Sequence, residues 1–425
     1  MKRNNKPVLW NPLDNAAKIF PSASNHKDTK VFRFACQLKE NVDEKILQNS
    51  VNKTLEQFPH FSFILKRGFF WYYLETSDIK PQVKEENTYP CRQLYNKNAK
   101  NLLFEVTYYN KRINLEVYHA ITDGTGALQF FKTLIINYLS EKYYDELKDK
   151  DLSIDYDASF TEKMDDSFKK YYEKSKMKIS EKKIKTFRIK GAKYTENRLS
   201  IIEGIVSLKE LLALSHSYNV TITVFLCAIF MMSIKETMAK RDLKKSVVIT
   251  VPVNLRKYFS SESARNFFSI VNVDYIFNEA TSFEEVLNYV STFFKTRLTK
   301  EELSKRVNSL GAIENNFFAR ITPLPIKDVV LKAAHDLSEL QSTAALSNIG
   351  NITMPEAVYK YIQLFDVFVS TKKIQMCMCT FSDNVTLSFS TPYISADIQK
   401  NFFRMLSSLG LKVSIYSNDM EGTQK

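Results

Sequence analysis

Glycine is nearly missing from this chain, nine residues in 425, and nowhere does it gather into a flexible linker. No segment is of low complexity and none recurs in tandem, which excludes repeat architectures and long tethers. Cysteines number five, an odd count without metal-ligand spacing. That argues against a disulfide framework or a metal centre and fits a reducing cytoplasm. Cys377 and Cys379 alternate along one strand-like run and are expected to be free thiols on one face. Long hydrophobic runs are missing too. The most apolar window, 220–234, is too short to cross a bilayer and carries Thr221 and Thr223, so it reads as a buried helix. No basic start leads into an apolar run, so the expectation is a cytoplasmic protein with neither a signal peptide nor an integral membrane segment.

What is present describes an ordinary globular protein: 44% apolar and 25% charged residues. A length of 425 residues exceeds the size at which one core stops growing, so two domains are expected. The net charge of +13, from 60 Lys+Arg against 47 Asp+Glu, suits an anionic partner. Lys174, Lys176, Lys178, Lys182, Lys183 and Lys185 supply much of the excess and read as a solvated connecting face. No aromatic stacking platform accompanies them, and no nucleic-acid partner is expected.

Periodicity sketches the organisation. Strands are expected at 31–38, 61–65, 69–75, 102–109 and 113–118, with a helix over 43–58 stopped by Pro59. An amphipathic helix over roughly 127–139 packs Leu128, Phe131, Leu134 and Ile135 back on that sheet. Composition then turns charged and tyrosine-rich. The second half repeats the grammar, with strands at 199–206, 247–253, 268–277, 365–369, 374–381 and 385–390. Helices are expected over 208–218, 221–239, 282–299 and 395–409. Residues 1–150 therefore read as a first lobe, 151–190 as a charged connector, and 191–425 as a second lobe.

One turn stands out. Tyr118-His119-Ala120-Ile121-Thr122-Asp123-Gly124-Thr125-Gly126 joins the strand ending at 118 to the following helix, and it holds two of the nine glycines. Histidine titrates near neutrality and serves as a proton acceptor. Aspartate is a short anion able to lock a turn, and glycine supplies backbone freedom. A histidine in a loop is most often merely solvated; the strand-turn-helix context favours a functional role.

His119-x-x-x-Asp123-Gly124 resembles the active-site motif of the CoA-dependent acyltransferase superfamily. That group includes chloramphenicol acetyltransferases, plant BAHD acyltransferases, polyketide-associated acyltransferases and nonribosomal peptide condensation domains. Further segments resemble its bacterial alcohol acetyltransferase-type members: Pro12-Leu13-Asp14-Asn15-Ala16-Ala17, Ile19-Phe20-Pro21, Thr54 to Phe61, Arg67-Gly68, Phe70-Trp71-Tyr72, Val251 to Arg256, and Ser347-Asn348-Ile349-Gly350. The order of these segments, over most of the chain, carries the resemblance.

The resemblance implies an α+β, mixed αβ fold: two similar chloramphenicol acetyltransferase-like lobes, each a mostly antiparallel mixed sheet with helices, and an active-site tunnel between them. It implies an O-acyltransferase that moves an acetyl or other short acyl group from acyl-CoA, a co-substrate rather than a bound cofactor, to an alcohol or amine acceptor. The catalytic residues would be His119 and Asp123, His119 acting as general base with no acyl-enzyme, and no metal is implied. Asp123 would point away from the imidazole and pair with Arg256, which with Gly124 supports the site. Ser347 and Asn348 are candidates for oxyanion or substrate contacts, or a turn that uses Asn and Gly for its shape. Two other readings stay open: a carrier-protein-dependent acyltransferase or condensation enzyme working with an acyl carrier protein, and a non-catalytic ligand-binding relative. Condensation domains carry a doubled histidine where this chain has Tyr118, which favours a stand-alone transferase.

Overall fold

Alternating β-branched and aromatic runs become strands, and among the described residues the strands sort into three sheets. The computed structural model describes residues 10–154, 166–173, 185–195, 198–314 and 320–418. In chain order, the first strands are β1 (Trp10–Pro12), β2 (Val31–Leu38), β3 (Phe63–Arg67), β4 (Tyr72–Thr76), β5 (Lys84–Glu85), β6 (Phe104–Tyr109) and β7 (Arg112–Tyr118). After the connector come β8 (Ser200–Ser207), β9 (Ser246–Asn254), β10 (Phe268–Ile276) and β11 (Ala344–Asn351). The last are β12 (Ile362–Val369), β13 (Ile374–Phe381), β14 (Asn384–Thr391) and β15 (Ser414–Ser417).

A five-stranded sheet of order β12-β2-β7-β6-β5 forms one lobe, and a seven-stranded sheet of order β10-β9-β11-β13-β14-β8-β15 forms the other. A small β1-β4-β3 sheet accompanies the first. Pairing is mostly antiparallel; β11 runs parallel to both β9 and β13. This is the expected two-lobed mixed αβ fold.

The lobes are not consecutive stretches of chain. β12 comes from within 191–425 yet pairs antiparallel with β2, Phe365 opposite Cys36 and Asp366 opposite Ala35. The reason is burial. Seven of the eight β2 residues are buried, so both of its edges need a partner. Arg112 on β7 then reaches Asp366 on β12 and Glu203 on β8, tying one sheet to the other.

Two helices fix what matters for the site. The Gly124–Lys142 helix begins three residues before its apolar periodicity does, because Asp123 caps it by accepting from Thr125 N and Gly126 N. The Ile222–Lys235 helix is buried without a break from Val224 to Ile234. Among the described residues, no single helix is long and apolar enough to cross a membrane. Two of the longer helices among the described residues went unassigned by periodicity, Lys300–Glu314 and Leu324–Glu339. Of the connector, the Ser167–Lys170 turn buries Phe168 edge-on against Phe267, at 5.3 Å, rather than lying free. Lysines 174 to 183 lie outside the described residues.

Candidate active site

β7 delivers His119 to its end. The strand's last rung holds Tyr118, whose N–H donates to Leu103 O, and His119 N–H donates to Lys30 O at 2.9 Å. Tyr118 itself is buried, stacked on Tyr95 and hydrogen-bonded through its hydroxyl to Ser24. The imidazole is half-buried among aromatic rings, with Phe20 and Phe32 centroids both at 4.8 Å and Phe268 at 5.8 Å. Burial holds its pKa below the ordinary 6.5, against an opposing pull from the nearby Asp123 charge. The ring is therefore neutral at neutral pH.

Which nitrogen carries the proton follows from Asn266. Its Nδ2 donates to His119 O at 3.0 Å and to Asp14 Oδ2 at 3.1 Å, which fixes the amide's orientation. Its Oδ1, an acceptor, then sits 3.1 Å from His119 Nδ1. Nδ1 must donate, so Nε2 keeps a lone pair. Asn266 is in turn held by Asp14, a buried carboxylate that also accepts from Asn266 N–H and Ala17 N–H and has Arg265 Nε at 3.6 Å. Burial raises the Asp14 pKa, while Arg265 and the hydrogen bonds pull it down. Neither Asn266 nor Asp14 was singled out as a site residue from sequence. A lone Asn in Ala264-Arg265-Asn266-Phe267 gives no signal; only the presence of Asp14 in a recognised opening segment hinted at a role.

Asp123 does not orient the imidazole. Oδ1 accepts from the helix N-terminus, and Oδ2 accepts from Arg256 Nη1 at 2.7 Å and from Phe267 N–H at 2.9 Å. Its oxygens are committed elsewhere, as the resemblance implies, and Asp123 builds the turn rather than touching the imidazole. Arg256 is the expected partner. It also donates to the carbonyls of Ser263 and Arg265, pinning the 263–267 segment against the start of the helix. Thr122 Oγ1 bonds to Ala264 O in the same seam.

The glycines serve a purpose other than the one expected. Neither Gly124 nor Gly126 has a positive φ, so neither supplies unusual backbone freedom. They supply room. A Cβ at Gly126 would stand 2.1 Å from Ala264 O, whereas one at Gly124 would meet only the Ile349 side chain, at 3.3 Å. Gly126 is thus the stricter requirement.

A cavity of about 400 Å³ opens beside His119 between the lobes. Phe32, Phe34 and Val367–Val369 line it from the first sheet; Val251, Phe268, Ser347, Asn348 and Cys377 line it from the second. Ser347 and Asn348 are thus brought to the same space as His119. Asn348 donates to Thr223 Oγ1 at 2.8 Å and accepts from Gly350 N–H, at a β-bulge where Gly350 has φ 90°. Its carbonyl oxygen is engaged in that turn. Among the described residues no cluster of His, Cys, Asp and Glu could hold a metal ion.

No family model matches this sequence, and no curated protein matches it. Solved structures do. The structure of F. graminearum TRI101 complexed with ethyl coenzyme A shares 10% identity, covering 96% of this chain and 100% of that one, with a TM-score of 0.65. TRI3 trichothecene 15-O-acetyltransferase from Fusarium sporotrichioides shares 10% over 95% of this chain and 94% of its own, at a TM-score of 0.61. The first condensation domain of the CDA synthetase shares 12% over 94% and 96%, at 0.58. The chain has the two-lobed fold common to CoA-dependent acyltransferases and condensation domains.

Proposed function

We propose that this chain, with its chloramphenicol acetyltransferase-like fold, transfers an acyl group from a CoA thioester to an acceptor hydroxyl, with His119 as general base. The observation that carries the reading is the Asn266 contact to Nδ1, which leaves Nε2 unprotonated on a neutral ring. An acceptor O–H in the cavity donates to Nε2 and attacks the thioester carbonyl; a C–O bond forms and its proton passes to the imidazole. The tetrahedral oxyanion then collapses, the C–S bond breaks, and the imidazolium returns the proton to the departing thiolate. General-base assistance of this kind contributes about a hundred- to ten-thousand-fold.

No acyl-enzyme is required. Cys377, the thiol among the cavity's lining residues, is buried and its pKa is pushed up to about 12, which makes it a poor nucleophile. The place of Ser347 and Asn348 on the cavity wall supports reading them as oxyanion or substrate contacts. The apolar lining suits an uncharged acyl chain and acceptor, and Lys257, exposed at the same cavity, suits the phosphates of CoA. Two structural neighbours, F. graminearum TRI101 with ethyl coenzyme A and TRI3, a trichothecene 15-O-acetyltransferase, support the donor and the O-acetyl class. Buried, hydrogen-bonded Tyr118 supports a stand-alone enzyme over a condensation domain.

The test is thiol release from a panel of acyl-CoAs, with and without alcohols and amines, alongside an acyl-loaded carrier protein. Alcohol-dependent release from a short acyl-CoA is the expected result. Transfer from the carrier alone replaces this reading with the condensation one. Binding without any transfer replaces it with the ligand-binding relative.

A further inference from the structure

The Leu324–Glu339 helix is inside out. Its inward side is held largely by polar bonds: Asp328 accepts from Ser22 and Tyr72, Lys327 Nζ donates to Phe70 O over the Trp71 ring, and His335 Nε2 lies 3.1 Å from Lys30 Nζ. Its outward side is apolar. Ile326, Val329, Val330, Ala333, Leu337 and the capping residue Leu340 fall on one face about 100° wide, at 3.6 residues per turn. Excepting the small Ala333, these side chains are between 45% and 69% exposed. An apolar stripe of that length on an open surface marks an interaction site.

The spacing says what covers it. Counted from Ala333, Ile326 lies seven residues before and Leu340 seven after; Val329 lies four before and Leu337 four after. These four positions pair off about Ala333, the smallest side chain of the stripe; Val330 has no apolar counterpart, since Asp336 stands three residues after the centre. Two copies packed antiparallel about a twofold axis at Ala333 would set Ile326 against Leu340 and Val329 against Leu337, twice over. The alanine would let the helices approach closely where they cross.

The charges beside the stripe suit an axis near the same point. Lys332 and Asp336 lie on one flank of the helix; Lys332 is exposed, and Asp336 is half exposed with Lys372 no nearer than 3.8 Å. In an antiparallel pair that flank meets its own counterpart. Lys332 of each copy then falls about 3 Å along the axis from Asp336 of the other, at 1.5 Å rise per residue. A helix that lies on a lipid surface carries Lys and Arg along its flanks instead. Here one cation is balanced by one anion.

We infer that this face joins two copies of the chain as a twofold dimer through antiparallel Leu324–Glu339 helices. A helix about 24 Å long and 10 Å wide offers less than the roughly 800 Å² per partner of a standard stable interface. The exposed Phe69 and Phe70, beside the helix start through the Leu324 N–H to Phe69 O bond, add to it. The dimer therefore forms and dissociates with concentration.

Sedimentation of the full chain over a wide concentration range tests this, with mass rising from one copy to two. Leu337→Glu should stay at one copy with unchanged melting. Lys332→Glu and Asp336→Lys should each weaken the dimer, and the two together should restore it. Ala333→Cys should give a disulfide-linked dimer on mild oxidation, because each new thiol faces its mate and all five native cysteines are buried. Lys39→Cys, exposed elsewhere, should not. A wild-type mass of one copy throughout, or a dimer that survives Leu337→Glu, overturns the inference. Wild-type protein that stays monomeric but floats with phosphatidylserine vesicles overturns it in favour of a membrane surface.

Discussion

Asn266 Oδ1 lies 3.1 Å from His119 Nδ1, although the two residues are 147 positions apart and sit in different lobes. The imidazole of one lobe is thus oriented by an amide from the other. In the proposed reaction the second lobe contributes to the protonation state of the catalytic nitrogen as well as to the cavity wall.

Asn266→Ala removes that acceptor and frees the ring to rotate or change tautomer. Misplacing a reacting group by about 1 Å can cost on the order of a hundredfold in rate. A fall in kcat of about ten- to a hundredfold with little change in KM is expected from steady-state kinetics. Asn266→Asp should be worse, since it sets a second carboxylate beside buried Asp14.

The pH profile follows from the burial of His119. The base works unprotonated, and its pKa is held below 6.5. Activity, read as kcat/KM, should be full at neutral pH and fall with unit slope only below that value. A midpoint at or above an ordinary histidine's contradicts the geometry.

Asp123→Ala takes the carboxylate partner from the largely buried Arg256 and also removes a helix cap. Breaking one side of a buried ion pair costs about 3–5 kcal/mol. Denaturant unfolding should show a loss of that order, together with reduced turnover. A stable Asp123→Ala protein with unchanged rate contradicts the assignment of Asp123 to the frame.

The two glycines should separate. Gly126→Ala drives a methyl into the Ala264 carbonyl, an overpacking worth about 1–3 kcal/mol or more. Gly124→Ala asks only that the Ile349 side chain give by a few tenths of an ångström, and stays within about 1 kcal/mol of wild type. Thermal melting of the two variants checks the order.

Local pattern made most elements legible, and non-local pairing hid the rest. β2, β7 and β13 emerge from alternation within a residue or two. That β12 leaves its own half to sit beside β2 cannot be read from either strand, because partner choice depends on what both edges bury. The helix at 324–339 carries an apolar stripe at helical spacing and lay within reach of periodicity; that the stripe faces solvent while polar contacts hold the inner side needed coordinates. His119, Asp123 and Arg256 were legible through a spaced motif. Asn266 and Asp14 were not, since each acts through one side chain at long range. Gly126 needed coordinates, because its role is a distance to a carbonyl rather than a backbone angle.

The most direct measurement is single-turnover acyl transfer to an alcohol acceptor by wild type and His119→Ala, both confirmed as folded by melting. The account predicts a loss on the order of a hundred- to ten-thousand-fold with acyl-CoA binding retained. Equal rates in the two proteins would contradict it.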